Sequence, residues 1–421
     1  SPLTGPDIVG LEGHLLLPGI ISGHTHVAGG SSTRGLIEGG RSFARPLEIV
    51  ENEFDDDELD ALTAYNLAEL IRSGCTSQVE MSLSLRQARS YARMAGRLGA
   101  RGWVGGMIPG IGRLFPIWFG SDQELAAAEG DTLAEIQANL DFARSLAAGD
   151  GLVQGMMTPH AADTQTPATL TAIATAAREL GTGIHTHLSQ GGRETETVRR
   201  RWGVTPTRWL ADAALMDGPF FGAHFTAPDW SVDPAILVEH GGAYVTCPSA
   251  GGAGGATQPY PEALAAGMTV CVGIDTHSND MMENLKLAVV LGQARASLLA
   301  GRADTPPLRS PTAADAVLGS TQHAAVGLRR PAFGRLEAGA RADLVAVDLR
   351  GLLVGSGAAP PEPLNNLLYA NGTAVSWVLT DGRIQVSDGV FVADDVDRIV
   401  AEGGRVARRL WDLLDREDWF G

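Results

Sequence analysis

The sequence predicts an α/β fold in which eight parallel strands form a (β/α)8 barrel, a TIM barrel, with a small β-sandwich and a C-terminal helix after it. Three observations lead to this prediction. Strand-like and helix-like segments alternate from about residue 13 to 330. Most of the strand-like segments are short and apolar, as strands buried on both faces are. Polar residues end one strand after another, and the carboxyl ends of barrel strands are where active sites form.

Eight predicted strands carry the barrel, and helical patterns separate them. The strands are Leu15–Val27, Cys75–Ser82, Trp103–Ile108, Leu152–Thr158, Gly183–Ser189, Phe220–Phe225, Ala243–Pro248 and Thr269–Asp275. The helices, several of which open with Pro or end before Gly, are Asp55–Arg72, Leu85–Leu98, Thr132–Leu146, Pro167–Leu180, Pro206–Ala214, Pro234–His240, Glu283–Leu299 and Ala313–Val326. A doubly wound open sheet is the alternative, but it does not explain the polar strand ends.

The domain boundaries follow from a change of pattern near residue 330. We predict that residues 13–330 form the barrel, that residues 1–12 and 331–393 form the β-sandwich, and that residues 394–421 form the terminal helix. Phe333–Asp348 and Val375–Val386 have short strands between turn residues, and Asp381-Gly382 is a typical hairpin turn. The glycine cluster Gly251–Gly255 is predicted to be a loop.

The overall charge excludes two classes of partner. The chain has 32 basic and 49 acidic residues, so its net charge is −17, whereas nucleic acids and anionic membranes bind clustered Lys and Arg. No apolar run reaches the ~18 residues of a membrane span, and the start has no secretory pattern. The three cysteines lie in strand-like segments and are predicted to be buried free thiols. We therefore predict a cytoplasmic protein that acts on a small molecule.

Two histidines at the end of the first strand are the strongest local signal. His24 and His26 are two positions apart, so their side chains point to the same face of a strand. Two imidazoles that project together can bind one borderline metal ion. An isolated His-x-His pair is more often part of a buried strand end, and the other strands decide between these interpretations.

Further metal-binding side chains follow the later strands. They are His185 and His187 at the fifth strand, His224 at the sixth, Asp275 at the eighth, and His160 after the fourth. Neutral imidazoles together with one carboxylate suit Zn²⁺, Fe²⁺ or Co²⁺, with a position left for water. A hydrogen-bonded core histidine explains any one of them, but it does not explain six such residues at one end of a barrel.

These motifs resemble the amidohydrolase superfamily, and in particular its triazine hydrolase and aminohydrolase branch. Pro18-Gly-Ile-Ile-Ser-Gly-His-Thr-His26 resembles the hallmark of the superfamily. The matches to the branch, in its order, are Pro159-His160-Ala161, His187-Leu-Ser189, His224, Cys247-Pro248-Ser249, Asp275 with Ser278-Asn279, and Gly334–Asp343 in the β-sandwich. Members of the branch usually have a longer segment before the first barrel strand than the roughly fourteen residues found here. Dimers are common among the members, so we predict a homodimer or a higher homo-oligomer.

The resemblance implies a mononuclear site and a role for each residue. One divalent metal ion, Zn²⁺ or alternatively Co²⁺, Fe²⁺ or Mn²⁺, would be bound by His24, His26, His187 and Asp275. Asp275 would take a proton from the activated water and return it to the leaving group, and His224 would stabilise the oxyanion. The substrate-binding residues would be His160, Gln190 and Asn279. His185 lies on the same strand face as His187, so the ligand of the fifth strand stays open between them.

Gln190 departs from the pattern of the branch. Deaminases of the branch typically have His-x-x-Glu at the fifth strand, where the Glu moves a proton to the substrate ring, and Gln190 occupies that position here. An amide can bind a substrate but cannot act as a general acid. We count Gln190 among the catalytic residues with Asp275 and His224, and we expect a substrate that needs no such proton. Glu194 or Glu196 is the alternative proton donor, although both fall in the next helix.

The predicted function is the metal-dependent hydrolysis of a C–N, C–S or similar bond in a small apolar molecule, such as an amide, carbamate, thiocarbamate or activated aryl compound. The segment Met107–Phe119, an aromatic and aliphatic loop after the third strand, suits an apolar ligand. Molinate hydrolase, which cleaves a thiocarbamate, is one such member of the branch. The alternatives are an aminohydrolase of a purine, pyrimidine or triazine, and a barrel that binds metal without turnover.

Overall fold

Two parallel sheets of four strands each form the centre of the computed structural model, which describes residues 8–36, 38, 40–149, 151–253, 255–302 and 307–420. The strands of these residues are β1 (His14–Pro18), β2 (Ile20–Thr25), β3 (Cys75–Ser82), β4 (Arg101–Gly106), β5 (Val153–Gly155), β6 (Ile184–Leu188), β7 (Phe220–His224), β8 (Ala243–Thr246), β9 (Thr269–Val272), β10 (Leu344–Asp348), β11 (Val375–Thr380), β12 (Arg383–Ser387) and β13 (Val390–Phe391). One sheet has the order β2-β3-β4-β5, and the other has the order β6-β7-β8-β9.

Backbone bridges join the two sheets at both edges. Met157, just after β5, pairs in parallel with Ile184 of β6, and Thr25 of β2 pairs in parallel with Asp275 after β9. The amide of Asp275 donates to the carbonyl of His24 at 3.0 Å. The eight strands thus follow one another in chain order, as in a (β/α)8 barrel, and the predicted fold class is confirmed.

Helices follow the barrel strands and cover them. In the described residues they are α1 (Ala44–Asn52), α2 (Asp56–Arg72), α3 (Leu85–Leu98), α4 (Ile111–Trp118), α5 (Asp122–Ala127), α6 (Glu129–Ala147), α7 (Pro167–Leu180), α8 (Gly192–Trp202), α9 (Pro206–Asp212), α10 (Asp233–His240), α11 (Pro248–Ala253), α12 (Tyr260–Ala265), α13 (Met281–Leu299), α14 (Ala313–Gly319), α15 (Gln322–Gly327), α16 (Pro363–Asn366) and α17 (Val396–Asp415). None of these helices combines the length and the apolar character needed to cross a membrane.

Local sequence signals explain where several helices begin and end. Asp55 and Glu58 form a capping box at the start of α2, in which each side chain accepts a hydrogen bond from the backbone of the other residue. Thr166 caps α7 directly before Pro167, and Gly181 ends α7 in the left-handed conformation. The predicted bounds of α3 and α7 agree with the structure for this reason.

The first predicted strand, Leu15–Val27, is in fact two strands that belong to different sheets. β1 pairs antiparallel with β10, whereas β2 pairs parallel with β3. Pro18 has no amide hydrogen to donate to a ladder, and a β-carbon at Gly19 would lie 2.4 Å from the Oγ1 atom of Thr76. The chain therefore changes sheets between β1 and β2, and the barrel begins at β2 rather than at residue 13.

The accessory module is a five-stranded antiparallel sheet in the order β1-β10-β11-β12-β13. Its first strand is β1, not the predicted residues 1–12, of which residues 1–7 lie outside the described part of the chain. The C-terminal helix α17 packs on α2 and α1, where Leu410 and Leu414 join Leu59 and Leu62 in one buried cluster. Arg409 also forms an ion pair with Glu58.

Two predicted loops are partly helical, and one predicted helix is divided. α4 lies within the predicted loop Met107–Phe119, and α11 includes the first glycines of the cluster Gly251–Gly255, of which residue 254 lies outside the described residues. The segment Ala313–Val326 forms α14 and α15. The three cysteines are buried and unpaired, as predicted.

Candidate metal centre

Five histidines and one aspartate meet at the carboxyl ends of the barrel strands. His24 lies in β2 and His26 directly after it, His185 and His187 lie in β6, and His224 ends β7. Asp275, three residues after β9, is brought to this end by its backbone bridge to Thr25. The five histidine side chains are buried. Six side chains that are spread from position 24 to position 275 of the chain therefore lie close together.

The distances between these side chains fit a metal ion. The Nε2 atom of His26 lies 3.4 Å from Nε2 of His187 and 3.2 Å from Oδ1 of Asp275, and Nε2 of His24 lies 3.5 Å from the same oxygen. Two ligands at ~2.1 Å from one tetrahedral ion would lie about 3.4 Å apart. Moreover, Nε2 of His24 is buried and has no hydrogen-bond partner among the described residues. The residues present therefore fit one divalent ion.

Hydrogen bonds fix the orientation of two of these rings. Nδ1 of His26 lies 2.5 Å from the carbonyl oxygen of Met81, and Nδ1 of His187 lies 2.7 Å from the carbonyl oxygen of His160. A carbonyl can only accept, so in both rings Nδ1 carries the hydrogen. The Nε2 atoms of His26 and His187 face each other, and Nε2 of His26 also faces Asp275. In the neutral rings these Nε2 atoms carry the lone pair with which imidazole binds a metal.

His185 contacts the Nδ1 side of the His24 ring, whereas Asp275 lies on the Nε2 side. Its Nε2 atom lies 2.6 Å from Nδ1 of His24, and its own Nδ1 atom has no partner among the described residues. The atoms of His24, His26 and His187 that could bind a metal all lie within 4.8 Å of one another, as do those of His24, His224 and Asp275, and His185 is in neither group. The geometry thus separates the two histidines of β6 that the sequence left as alternatives.

Burial keeps most of these histidines neutral. It lowers the pKa of His24 to about 3 and holds the pKa values of His185 and His187 well below their ordinary value. His26 is the exception: burial opposes a charge on its ring, but the hydrogen bond and charge of Asp275 outweigh burial, so the pKa of His26 is raised. The space between His26 and Asp275 therefore attracts a cation.

A cavity of about 460 Å³ opens beside the cluster. His26, His187 and Asp275 line it, together with His160 and Gln190. Most of the other lining residues are apolar, namely Phe43, Leu47, Leu83, Met107, Ile111, Leu114 and Trp118, and the lining also includes Thr33, Arg41, Thr276 and His277. A substrate in this cavity would contact both the candidate metal ligands and apolar side chains.

The predicted substrate-binding residues divide into two groups. His160 and Gln190 line the cavity, and the ring of His160 packs edge-on against Trp118 at 4.8 Å between centroids. Asn279 does not line it and is a correction to the prediction. Its amide oxygen accepts from Ser31 at 2.8 Å, and its amide nitrogen donates to Glu69 at 2.7 Å. Asn279 therefore links the loop after β9 to α2.

Two residues near the centre were missed by the sequence reasoning. Glu80 of β3 is fully buried, accepts hydrogen bonds from Thr25 and Val27, and lies close enough to His26 to favour a positive charge there. His277 lines the cavity two positions after Asp275. The Asp-x-His spacing was a usable signal for His277, whereas β3 (Cys-Thr-Ser-Gln-Val-Glu-Met-Ser) is largely polar in sequence and did not single out Glu80.

The chain is similar to known proteins in sequence and in fold. The model of the amidohydrolase family matches residues 15–392. The chain is 30% identical to the 5-methylthioadenosine/S-adenosylhomocysteine deaminase of Symbiobacterium thermophilum over 97% of this chain and 89% of that one. Its fold is similar to an atrazine chlorohydrolase from Arthrobacter aurescens TC1 complexed with zinc (TM-score 0.77, 20% identity, 94% and 88% covered). It is also similar to an adenosine deaminase from Xanthomonas campestris with bound zinc (TM-score 0.74, 22% identity, 95% and 87% covered). The chain belongs to the amidohydrolase family and is a metal-dependent hydrolase.

Proposed function

We propose that His24, His26, His187 and Asp275 bind one divalent metal ion and that the enzyme hydrolyses a C–N bond of a small, largely apolar molecule. The observation that carries the proposal is that Nε2 of His26 lies 3.4 Å from Nε2 of His187 and 3.2 Å from Oδ1 of Asp275, and that all three residues line one cavity. Zn²⁺ fits three imidazoles and one carboxylate, and Co²⁺, Fe²⁺ and Mn²⁺ are the alternatives.

The two oxygens of Asp275 have different surroundings, and this gives the residue a second role. Oδ1 lies between His24 and His26, whereas Oδ2 lies 3.8 Å from Nε2 of His224. A divalent ion bound in such a site lowers the pKa of a coordinated water from ~15.7 towards ~7 and so supplies a nucleophile at neutral pH. Oδ2 of Asp275 would accept the proton of the attacking water and pass it to the leaving nitrogen.

The lining of the cavity supports an apolar substrate with few polar groups. Trp118, Leu114 and Ile111 offer contact area, while Gln190 and His160 offer hydrogen bonds that orient a carbonyl or a ring. C–N cleavage is favoured over C–S cleavage because the relatives compared above include deaminases. None of the names of those relatives refers to a thiocarbamate, and molinate hydrolase has no support from them.

Deamination of an adenosine-like nucleoside is the second candidate, and the similarity to 5-methylthioadenosine/S-adenosylhomocysteine deaminases favours it. The chemistry at Gln190 argues against it, since an amide cannot give a proton to a ring nitrogen. Glu194 does not replace it directly: it is buried in α8, is not among the cavity-lining residues, and accepts a hydrogen bond from the backbone N–H of Gln190 at 2.7 Å. We therefore place C–N hydrolysis without ring protonation first.

A substrate panel with the zinc-loaded enzyme separates the candidates. One half contains N-aryl and N-alkyl amides, carbamates and ureas, and release of the amine is measured by mass spectrometry. The other half contains 5′-methylthioadenosine, S-adenosylhomocysteine, adenosine and amino-triazines, and release of ammonia is measured. We expect turnover in the first half and none in the second.

Asp275→Asn is the control, and it should lose all turnover in the panel. Ammonia release from a nucleoside by the unmodified enzyme would overturn the first candidate in favour of the second. Substoichiometric metal and no turnover with added Zn²⁺, Co²⁺, Fe²⁺ or Mn²⁺ would favour an inert barrel. The homo-oligomer and the cytoplasmic location stay predictions.

A further inference from the structure

Gln258 lies behind His224, on the side of the ring away from Asp275. It belongs to the segment between α11 and α12, and its side chain is buried. Its amide contacts two groups: Oε1 lies 2.5 Å from the backbone nitrogen of Cys247, and Nε2 lies 3.3 Å from Nδ1 of His224. The amide thus connects the end of β8 to the end of β7.

The backbone of Cys247 fixes which way this amide faces. A backbone N–H can only donate, so the group of Gln258 that meets it must be the carbonyl oxygen. The NH2 group of Gln258 therefore faces His224, and an NH2 group can only donate. Nδ1 of His224 must accept this hydrogen bond, and a neutral imidazole that accepts at Nδ1 carries its hydrogen on Nε2.

This places an N–H group, not a lone pair, in the site. Nε2 of His224 is buried, lies 3.8 Å from Oδ2 of Asp275 and has no hydrogen-bond partner among the described residues. The pattern is the reverse of the one at His26 and His187, whose Nδ1 atoms face carbonyl oxygens. One ring can therefore donate where the other two can bind a metal.

The space around the buried Gln258 side chain is narrow on the side of α11. Gly251 of α11 lies against the Gln258 side chain, and a β-carbon there would be 3.0 Å from Cγ and 3.2 Å from Nε2 of Gln258. The backbone closes the segment, since the amide of Gly251 donates to the Cys247 carbonyl and the amide of Ala256 donates to the Gly251 carbonyl. The glycine at 251 thus leaves the space that the buried amide needs.

We propose that Gln258 is a positioning residue that holds His224 as the tautomer with its hydrogen on Nε2, so that His224 donates to the reacting oxygen and is not a metal ligand. This inference rests on the proposed hydrolysis for its catalytic meaning, although the tautomer itself does not depend on any substrate. The donor would stabilise the negative charge that develops on the attacked group.

Two variants of similar length test the role of the amide. Gln258→Glu can still accept from Cys247, but it presents a second acceptor to His224 and so favours a hydrogen on Nδ1. Gln258→Met keeps the length and removes both hydrogen bonds. Nitrogen NMR of protein with labelled histidine reports the tautomer in the metal-free and the zinc-loaded state, and His224→Asn identifies the signals of His224.

We expect unmodified protein to show the hydrogen of His224 on Nε2 in both states, and Gln258→Glu to show it on Nδ1 or on both nitrogens. Gln258→Glu should keep one zinc per chain and an unchanged KM, with kcat about 10²-fold lower because the donor is lost or altered. A hydrogen on Nδ1 in the unmodified protein would overturn the inference, even where neither variant folds. A tautomer unaffected by Gln258→Glu would overturn it as well.

The NMR result also separates this inference from the proposed function. The predicted tautomer in a protein without turnover on any substrate would contradict the proposed hydrolysis and leave the role of Gln258 in fixing the ring. Turnover of a C–N substrate together with the opposite tautomer would contradict the role of Gln258 alone.

Discussion

Nε2 of His185 lies 2.6 Å from Nδ1 of His24, so one histidine of β6 supports a candidate metal ligand of β2 from behind. When Nδ1 of His24 donates to His185, the Nε2 lone pair of His24 is free to bind an ion. Within β6, His187 faces the site directly and His185 acts through His24. This division of roles can be measured.

We expect His185→Phe to bind zinc about 10- to 100-fold more weakly than the unmodified protein, as is typical when a supporting partner of a ligand is lost. His187→Phe should bind no stoichiometric zinc, because it removes a ligand. Chelator competition and metal analysis of the purified variants check both expectations. His185→Gln is the matched control: its amide oxygen can accept from His24 and should retain most of the affinity. Loss of zinc from His185→Phe and retention by His187→Phe would exchange the two assignments.

The second prediction concerns the amide at Gln190, which lines the cavity. We expect Gln190→Glu to gain a measurable release of ammonia from an amino-triazine or an adenosine derivative, because a carboxyl group can protonate a ring nitrogen. The measurement is ammonia release by the zinc-loaded variant and by the unmodified enzyme. Gln190→Met, which has neither an acid nor an amide, should gain nothing. Equal ammonia release by Gln190→Glu and Gln190→Met would contradict the proton-transfer argument.

The barrel could be predicted from the sequence because its signals are local. Strands such as Cys75–Ser82 and capped helices such as Pro167–Leu180 have the same bounds in the sequence pattern and the structure. The exchange of sheets at Pro18-Gly19 could not be predicted, since the partner of β1 is β10, more than 300 residues away. The helix α4 could not be predicted, because its aromatic and aliphatic composition is also that of an apolar loop.

The candidate site was predictable to the extent that its residues lie at strand ends. His24, His26, His187 and Asp275 meet because parallel strands bring their carboxyl ends together. The orientation of each imidazole ring could not be predicted, because it depends on which ring nitrogen faces a carbonyl and which faces an amide. The choice between His185 and His187 therefore required coordinates, as did the recognition of Asn279 as a link between elements.

The third prediction concerns Glu194, whose carboxylate accepts a hydrogen bond from the backbone N–H of Gln190. Burial, reinforced by the nearby charge of Asp163, raises the pKa of Glu194 to about 8. The unfolded chain has an ordinary value of about 4.3, so between these pH values the folded protein binds the extra proton. The bound proton therefore stabilises the folded protein. This contribution to the free energy of unfolding is fully present below the pKa of the unfolded chain, about 4.3, and is lost as pH rises to about 8, at up to ~1.4 kcal/mol per pH unit.

Glu194→Gln cannot lose this proton. We therefore expect its melting temperature to rise relative to the unmodified protein between pH 5 and pH 8, measured with the same metal loading. Glu196→Gln, at an exposed position of the same helix, is the control and should show no such trend. A difference between Glu194→Gln and the unmodified protein that does not change with pH would contradict the raised pKa.

The fourth prediction tests how α17 supports the cavity. Leu410 is 1% exposed and packs in the same cluster as Ile49 and Val50 of α1, the helix that also brings Leu47 to the cavity wall. Leu410→Ala should cost about 2–5 kcal/mol, the usual range for a buried leucine. Val400→Ala, at a position 52% exposed in the same helix, should change stability by less than about 0.5 kcal/mol. Urea unfolding of the zinc-loaded proteins measures both. The buried cluster and the ion pairs that join α17 to α1 and α2 include none of the candidate metal ligands, so Leu410→Ala should still bind one zinc per chain. Equal effects of the two variants on stability would contradict a stabilising role of Leu410 in this cluster.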